Sequence, residues 1–216
     1  SRRRRRSLLQ QLMYKAVTRQ RVLNQLLQEF VVNRYDRLKS LRFLCASRSI
    51  HLRGIIHEGD EKILGLRTGD IYFDFHLLKE EVTAHTVKMR LHQSRFFSAR
   101  RPDIIKLSSR FSSKLQDTIL YHLTRGDSPF FMVNRRKRFI GFDLNFILMQ
   151  IPPELDVLGK IRITNVAFEP RRIVWYVDSN LVLKSLVQIF KPDYIEIEQI
   201  EMESDAQKLL TDINLD

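Results

Sequence analysis

Ile140, Phe142, Leu144, Phe146 and Leu148 occupy every second position, with Gly141, Asp143, Asn145 and Ile147 between them. A period of two places one set on each face of an extended strand. A helix would scatter the same residues around its circumference. Ile161, Ile163, Val166 and Phe168 repeat the pattern, with a slip at Thr164-Asn165 that reads as a bulge, and Ile173, Trp175 and Val177 repeat it again. Phe130, Phe131, Met132 and Val133 supply a strand before them. The stretch 129–179 therefore reads as an antiparallel meander.

Its turns are basic. Arg135, Arg136, Lys137 and Arg138 join the first two strands, and Pro170, Arg171 and Arg172 the last two. Pro fixes φ for a turn and donates no ladder hydrogen bond. In a meander alternate loops fall at the same end, so these two turns are expected to meet at one edge of the sheet. The loop at 150–160, with Pro152 and Pro153, then falls at the opposite end.

The rest of the chain supplies the remaining elements. Leu9, Leu12, Met13, Ala16, Val17, Leu23, Leu26, Leu27, Phe30 and Val31 recur at spacings of three and four, which predicts a long helix capped by Ser7 and continuing toward Leu41. Its other face carries Lys15, Arg19, Arg21, Arg34 and Arg37. Strands are expected over 50–56, 62–66, 71–77 and 87–91, with turns at 60–61 and 68–70. The basic segment Arg95 to Pro102 is read as a loop holding Phe96, Phe97, Arg100 and Arg101. A second helix carries Phe111, Leu115, Ile119 and Leu123 and ends near Gly126; a third spans 181–190 and stops before Pro192. A final strand is expected around 194–198.

Together these elements give an α+β fold: a largely antiparallel sheet, the 129–179 meander at its centre, packed by a long N-terminal helix and two shorter helices. The division is a basic arm at 1–7, one domain at 8–204 and an acidic tail at 205–216. At 216 residues and 44% apolar content, with only seven glycines, the chain suits one substantial core.

Charge narrows the function. The net charge is +12, and a surface of that sign collects nucleic acid or acidic lipid. The first fifty residues hold thirteen Lys and Arg against two acids; from Asp193 onward there are eight acids and one lysine. Such a head and tail favour mutual neutralisation, within one chain or between copies. Arg2, Arg3, Arg4, Arg5 and Arg6 form an uninterrupted cationic run. The single cysteine, Cys45, sits among apolar neighbours, forms no intrachain disulfide and suits a reducing compartment. No apolar stretch is long enough to span a membrane, and no secretory leader is recognisable.

No phosphate-binding glycine loop, dinucleotide fingerprint or paired metal-ligand spacing is present. One cysteine builds no thiolate zinc site, and the six histidines lack ligand spacing. Asp70 with Asp74, and Glu196 with Glu198, are the carboxylate pairs from which a metal-dependent nuclease would be built. The expectation is a non-enzymatic assembly protein without cofactor, docking on RNA or DNA through Arg2–Arg6, Arg100, Arg101, Arg135, Arg136, Lys137, Arg138, Arg171 and Arg172. The alternative is a peripheral protein, of viral-matrix or lipid-binding type, held on acidic phospholipid.

Overall fold

Strand pairing divides the chain between two antiparallel sheets. The computed structural model describes residues 12–57, 69–98, 109–125, 131–145, 160–179 and 196–199. In chain order the elements are β1 (Leu12–Arg19), α1 (Gln20–Phe30), a 3-10 turn (Val32–Arg34), β2 (Leu38–Ala46), β3 (Ser49–Ile56), β4 (Ile71–Val82) and β5 (Thr86–Ser98). They continue with α2 (Ser109–Arg125), β6 (Phe131–Asn134), β7 (Phe139–Asp143), β8 (Ile161–Glu169), β9 (Arg172–Ser179) and β10 (Glu196–Gln199). One sheet has the order β2-β3-β4-β5-β7-β6, the other β10-β1-β9-β8.

This corrects the α+β expectation. The described residues are 61% strand and 23% helix, mostly antiparallel sheet with only two α-helices. The long N-terminal helix is absent because its first half is β1. There Tyr14, Ala16 and Thr18 are buried while Met13, Lys15 and Val17 between them are only half-buried. Residues 12–19 pair along their whole length with β9, from Leu12 opposite Ser179 to Arg19 opposite Arg172. Thr18 Oγ1 accepts a hydrogen bond of 2.9 Å from the buried Trp175 Nε1. Ladder pairing and this contact outweigh helix propensity, which spans only tenths of a kcal/mol per residue. The helix survives at Gln20–Phe30, with Leu23 and Leu27 buried. The expected continuation to Leu41 is β2, where Leu41, Phe43 and Cys45 point inward.

The single meander is likewise two hairpins. β6 and β7 pair within the larger sheet, β8 and β9 within the smaller, and β7 and β8 do not pair. Within β8 the register shifts between Ile163 and Asn165, a bulge at the expected slip. Arg95 to Ser98, read as loop, extend β5. The expected strand 62–66, third helix 181–190 and tail 205–216 lie outside the described residues.

The six-stranded sheet curls until its edges face each other. Phe43 on β2 meets Phe142 on β7 at 5.0 Å and Phe131 on β6 at 6.3 Å between ring centroids. Inside lie Leu52, Phe75, Leu77 and Met89, each fully buried and each contributing about 1.5–3 kcal/mol. From α2, Leu115, Ile119 and Leu123 join the same cluster, as do Ile163, Val166 and Trp175 of the second sheet. The second sheet is seated by β8. The Arg48 N–H donates to Phe168 O, the Ile163 N–H to Ala84 O, and Lys79 Nζ to Asn165 Oδ1 and Val166 O.

An edge strand carries unpaired backbone groups that would recruit another chain. On β2 those of Phe43 and Cys45 are occupied, three of the four by side chains of α1. The Asn24 amide donates to Phe43 O at 3.2 Å and accepts from Phe43 N–H at 2.7 Å. Gln20 Oε1 accepts from Cys45 N–H at 2.8 Å, and Cys45 O accepts from the Arg171 N–H. Cys45 is buried, and burial pushes its thiol up to about 11. It is a core residue rather than a nucleophile at neutral pH.

Candidate polyanion-binding surfaces

The turn at 135–138 is built by Asn134, whose Oδ1 accepts from the Lys137 N–H, and it closes with Arg138 in the left-handed region at φ 53°. It faces α2. Between them lies an open polar groove of about 380 Å³ lined by Ser113, Lys114, Asp117, Arg135, Arg136 and Arg138 among others. Arg135 grips Asp117 with two bonds, 3.2 Å from Nε and 2.6 Å from Nη2, and its guanidinium lies 5.1 Å from the Tyr121 ring centroid. The hydrogen bond from Arg135 holds the Asp117 carboxyl below its ordinary range. Arg138 reaches Ser113 Oγ at 3.5 Å. The charged ends of Lys114, Arg136 and Lys137 have no partner among the described residues. The groove therefore presents four cations against one carboxylate, with most of that charge unspent.

The turn at 169–172 lies elsewhere. It belongs to the other sheet and packs on the β2 edge, where the Arg171 N–H donates to Cys45 O, while Arg171 O accepts from the Gln20 N–H at the start of α1. The convergence expected of a meander is absent, because β6–β7 and β8–β9 are in different sheets. Arg171 meets a different arginine turn, that of β2–β3 at Arg48; both residues have positive φ, 65° and 63°. Arg172 is held by Glu169. Of the remaining expected residues, Arg2 to Arg6, Arg100 and Arg101 lie outside the described residues.

A third cationic surface was not foreseen. The outward face of the six-stranded sheet carries three rows of side chains in register. The first crosses Ser40, Ile55, Tyr72 and Phe97; the second Arg42, Arg53, Asp74 and Arg95; the third Leu44, His51 and His76, with Gln93 and the neighbouring His92 on β5. Asp74 accepts from His51 Nδ1 and Arg53 Nε, both at 2.8 Å. Burial pushes the Asp74 carboxyl up, but these two hydrogen bonds outweigh it and leave it below its ordinary range. His76 stacks on His51 at 4.8 Å and meets His92 edge-on at 5.5 Å. Burial, then the neighbouring His51, His92 and Arg95, hold the His76 imidazole below its usual value despite Asp74. One signal was visible in the sequence: Tyr72 is an aromatic in the polar phase of its strand.

The carboxylates of Asp70 and Asp74 are each held by cationic neighbours. Asp70 is engaged by Lys39 at 2.6 Å and by His57 at 2.7 Å, and Asp74 by His51 and Arg53. Among the described residues no group of three or more His, Cys, Asp or Glu is placed to hold a metal ion. No described helix is long and apolar enough to cross a membrane. No protein-family model matches the chain, and neither the curated proteins nor the solved structures contain a significant match to it.

Proposed function

We propose that this chain is a non-enzymatic assembly protein that docks on RNA or DNA through phosphate contacts. One observation carries the reading. The α2 and β6–β7 elements form a groove in which Lys114 and Arg136 keep their charges unpaired, with Lys137 on the same turn. Pairing those charges with neighbouring carboxylates would have cost little on a surface that also carries acids. Left free, they suit a repeating anion, whose condensed counterions are released on contact.

Four groove and turn cations, Lys114, Arg136, Lys137 and Arg138, give an expected slope of about −3.6 in log Kobs against log salt for duplex DNA. The Arg136→Glu/Arg138→Glu variant should flatten that slope by roughly two. Titrating unrelated RNA and DNA duplexes at rising salt, by fluorescence anisotropy, checks both numbers. Absence of binding at low salt, or binding indifferent to salt, overturns the reading. Co-sedimentation with phosphatidylserine vesicles, but not with nucleic acid, would replace it with the acidic-membrane alternative.

A further inference from the structure

We infer that the outward face of the six-stranded sheet is a stacking platform for unpaired bases, so that the nucleic acid taken is single-stranded. The inference rests on the nucleic-acid reading above but on a different surface. Tyr72 and Phe97 are cross-strand partners, exposed by 43% and 54%, two of the three large apolar side chains left exposed among the described residues. Their rings are 5.9 Å apart and tilted by 56°. At that tilt they are not stacked face to face, and both stay exposed to a flat ligand. Base-on-aromatic stacking of this kind is tolerant of sequence, since every base has a π face.

The next row supplies the phosphate contacts. Arg42 stands directly opposite Arg53, a like-charge pair that costs stability on a sheet. Arg53 is neutralised by Asp74, whereas Arg42 and Arg95 have no hydrogen-bonded or ion-paired partner among the described residues. An anion between Arg42 and Arg53 would relieve their repulsion. The third row offers three more flat rings, those of His51, His76 and His92. With rows about 7 Å apart and strands about 4.8 Å apart, the whole face spans roughly 14 Å each way. That is room for a few nucleotides with cations running between two bands of rings.

A duplex keeps its base faces stacked inside and has nothing to offer Tyr72 and Phe97. Insertion into a bilayer boundary, about 5–10 Å deep, would carry Arg53, Asp74 and Arg95 down with the aromatics, because all lie on one level face. A single strand satisfies rings and arginines together.

The test compares a labelled fifteen-residue thymidine oligonucleotide with a duplex of equal length, by anisotropy, on wild type and Tyr72→Thr/Phe97→Thr. Threonine keeps strand propensity, and both positions are exposed. The wild type should prefer the single strand by about tenfold or more. The variant should lose about tenfold or more on the single strand and stay within twofold on the duplex. Ultraviolet crosslinking of wild type to a bromouracil-substituted strand needs no variant and should place adducts at Tyr72 or Phe97. Unchanged single-strand affinity in a folded variant, or adducts confined to 109–138, overturns the platform and leaves phosphate docking intact. No binding by wild type to either nucleic acid overturns both. A variant that loses only its hold on phosphatidylserine vesicles assigns the face to membrane instead.

Discussion

Asn24 is the sharpest point at which to test how the larger sheet ends. Its amide satisfies both backbone groups of Phe43, at 3.2 and 2.7 Å, standing in for a missing neighbour strand. Asn24→Ala removes two hydrogen bonds, each worth about 0.5–1.5 kcal/mol net. It also leaves a backbone donor and acceptor in a half-buried setting, so the expected loss is about 2–3 kcal/mol. For a chain of this size that is a fall of about 5–10 °C in Tm. Urea unfolding reports it directly, followed by the fluorescence of Trp175, the one tryptophan. Asn33→Ala is the control. Asn33 is exposed and its side chain is bonded, among the described residues, to Gln28 alone, so its removal should cost under about 0.5 kcal/mol. The variant should also aggregate faster at equal unfolded fraction, because an uncovered edge recruits further strands. If Asn24→Ala costs no more than Asn33→Ala, the amide is not what closes this edge.

Three further outcomes are expected. In Gly141→Ala the new Cβ would lie 2.3 Å from Val87 O and 3.3 Å from Lys88 Cα, both backbone, and 3.2 Å from the movable Met132 Cε; pushing β5 from β7 should cost about 3 kcal/mol, read as a lower urea midpoint. Arg171 holds φ 65°, a conformation that costs most residues about 1–2 kcal/mol, so Arg171→Gly should leave stability equal or up to about 1 kcal/mol higher in the same melt, and a clear loss would refute this. His76 has a folded-state pKa below 6.5, so the unfolded chain binds its proton more readily; stability is therefore full above that value and falls as pH drops through it, and the urea midpoint should drop less between pH 7.5 and 5.5 in His76→Gln than in wild type.

Strands with a clean alternation were legible. β3, β4, β8 and β9 each put aliphatic or aromatic residues in one phase and mostly polar ones in the other, with Ile55, Tyr72 and the buried Val174 among the exceptions, and the Thr164-Asn165 slip showed as a bulge. β1 was not legible because Met13 and Val17 sit in its less buried phase while Thr18 sits in its buried one. Hydropathy alone assigns such a segment to a helix. β2 was missed for a related reason: Leu44 stands outward between Phe43 and Cys45 and blurs the period. Which strands pair is a property of the whole chain, so the separation of the 134–138 and 169–172 turns could not be read locally. At the groove, Arg135, Arg136 and Arg138 were legible as charge, but no local pattern marks Lys114 and Asp117 of α2 as their neighbours, which only the packing of α2 on β6–β7 makes them. On the sheet, Arg42, Arg53 and Arg95 are far apart in sequence and become a row only through register.

The smaller sheet places the first described strand between two of the last, with β1 flanked by β9 and β10. On a ribosome, residues 12–19 therefore emerge long before either partner exists. They must wait, unladdered, through the synthesis of more than 150 residues, while the larger sheet assembles from hairpins already in hand. Closure of the smaller sheet is a late, long-range event, and β1 is the strand left longest without its neighbours.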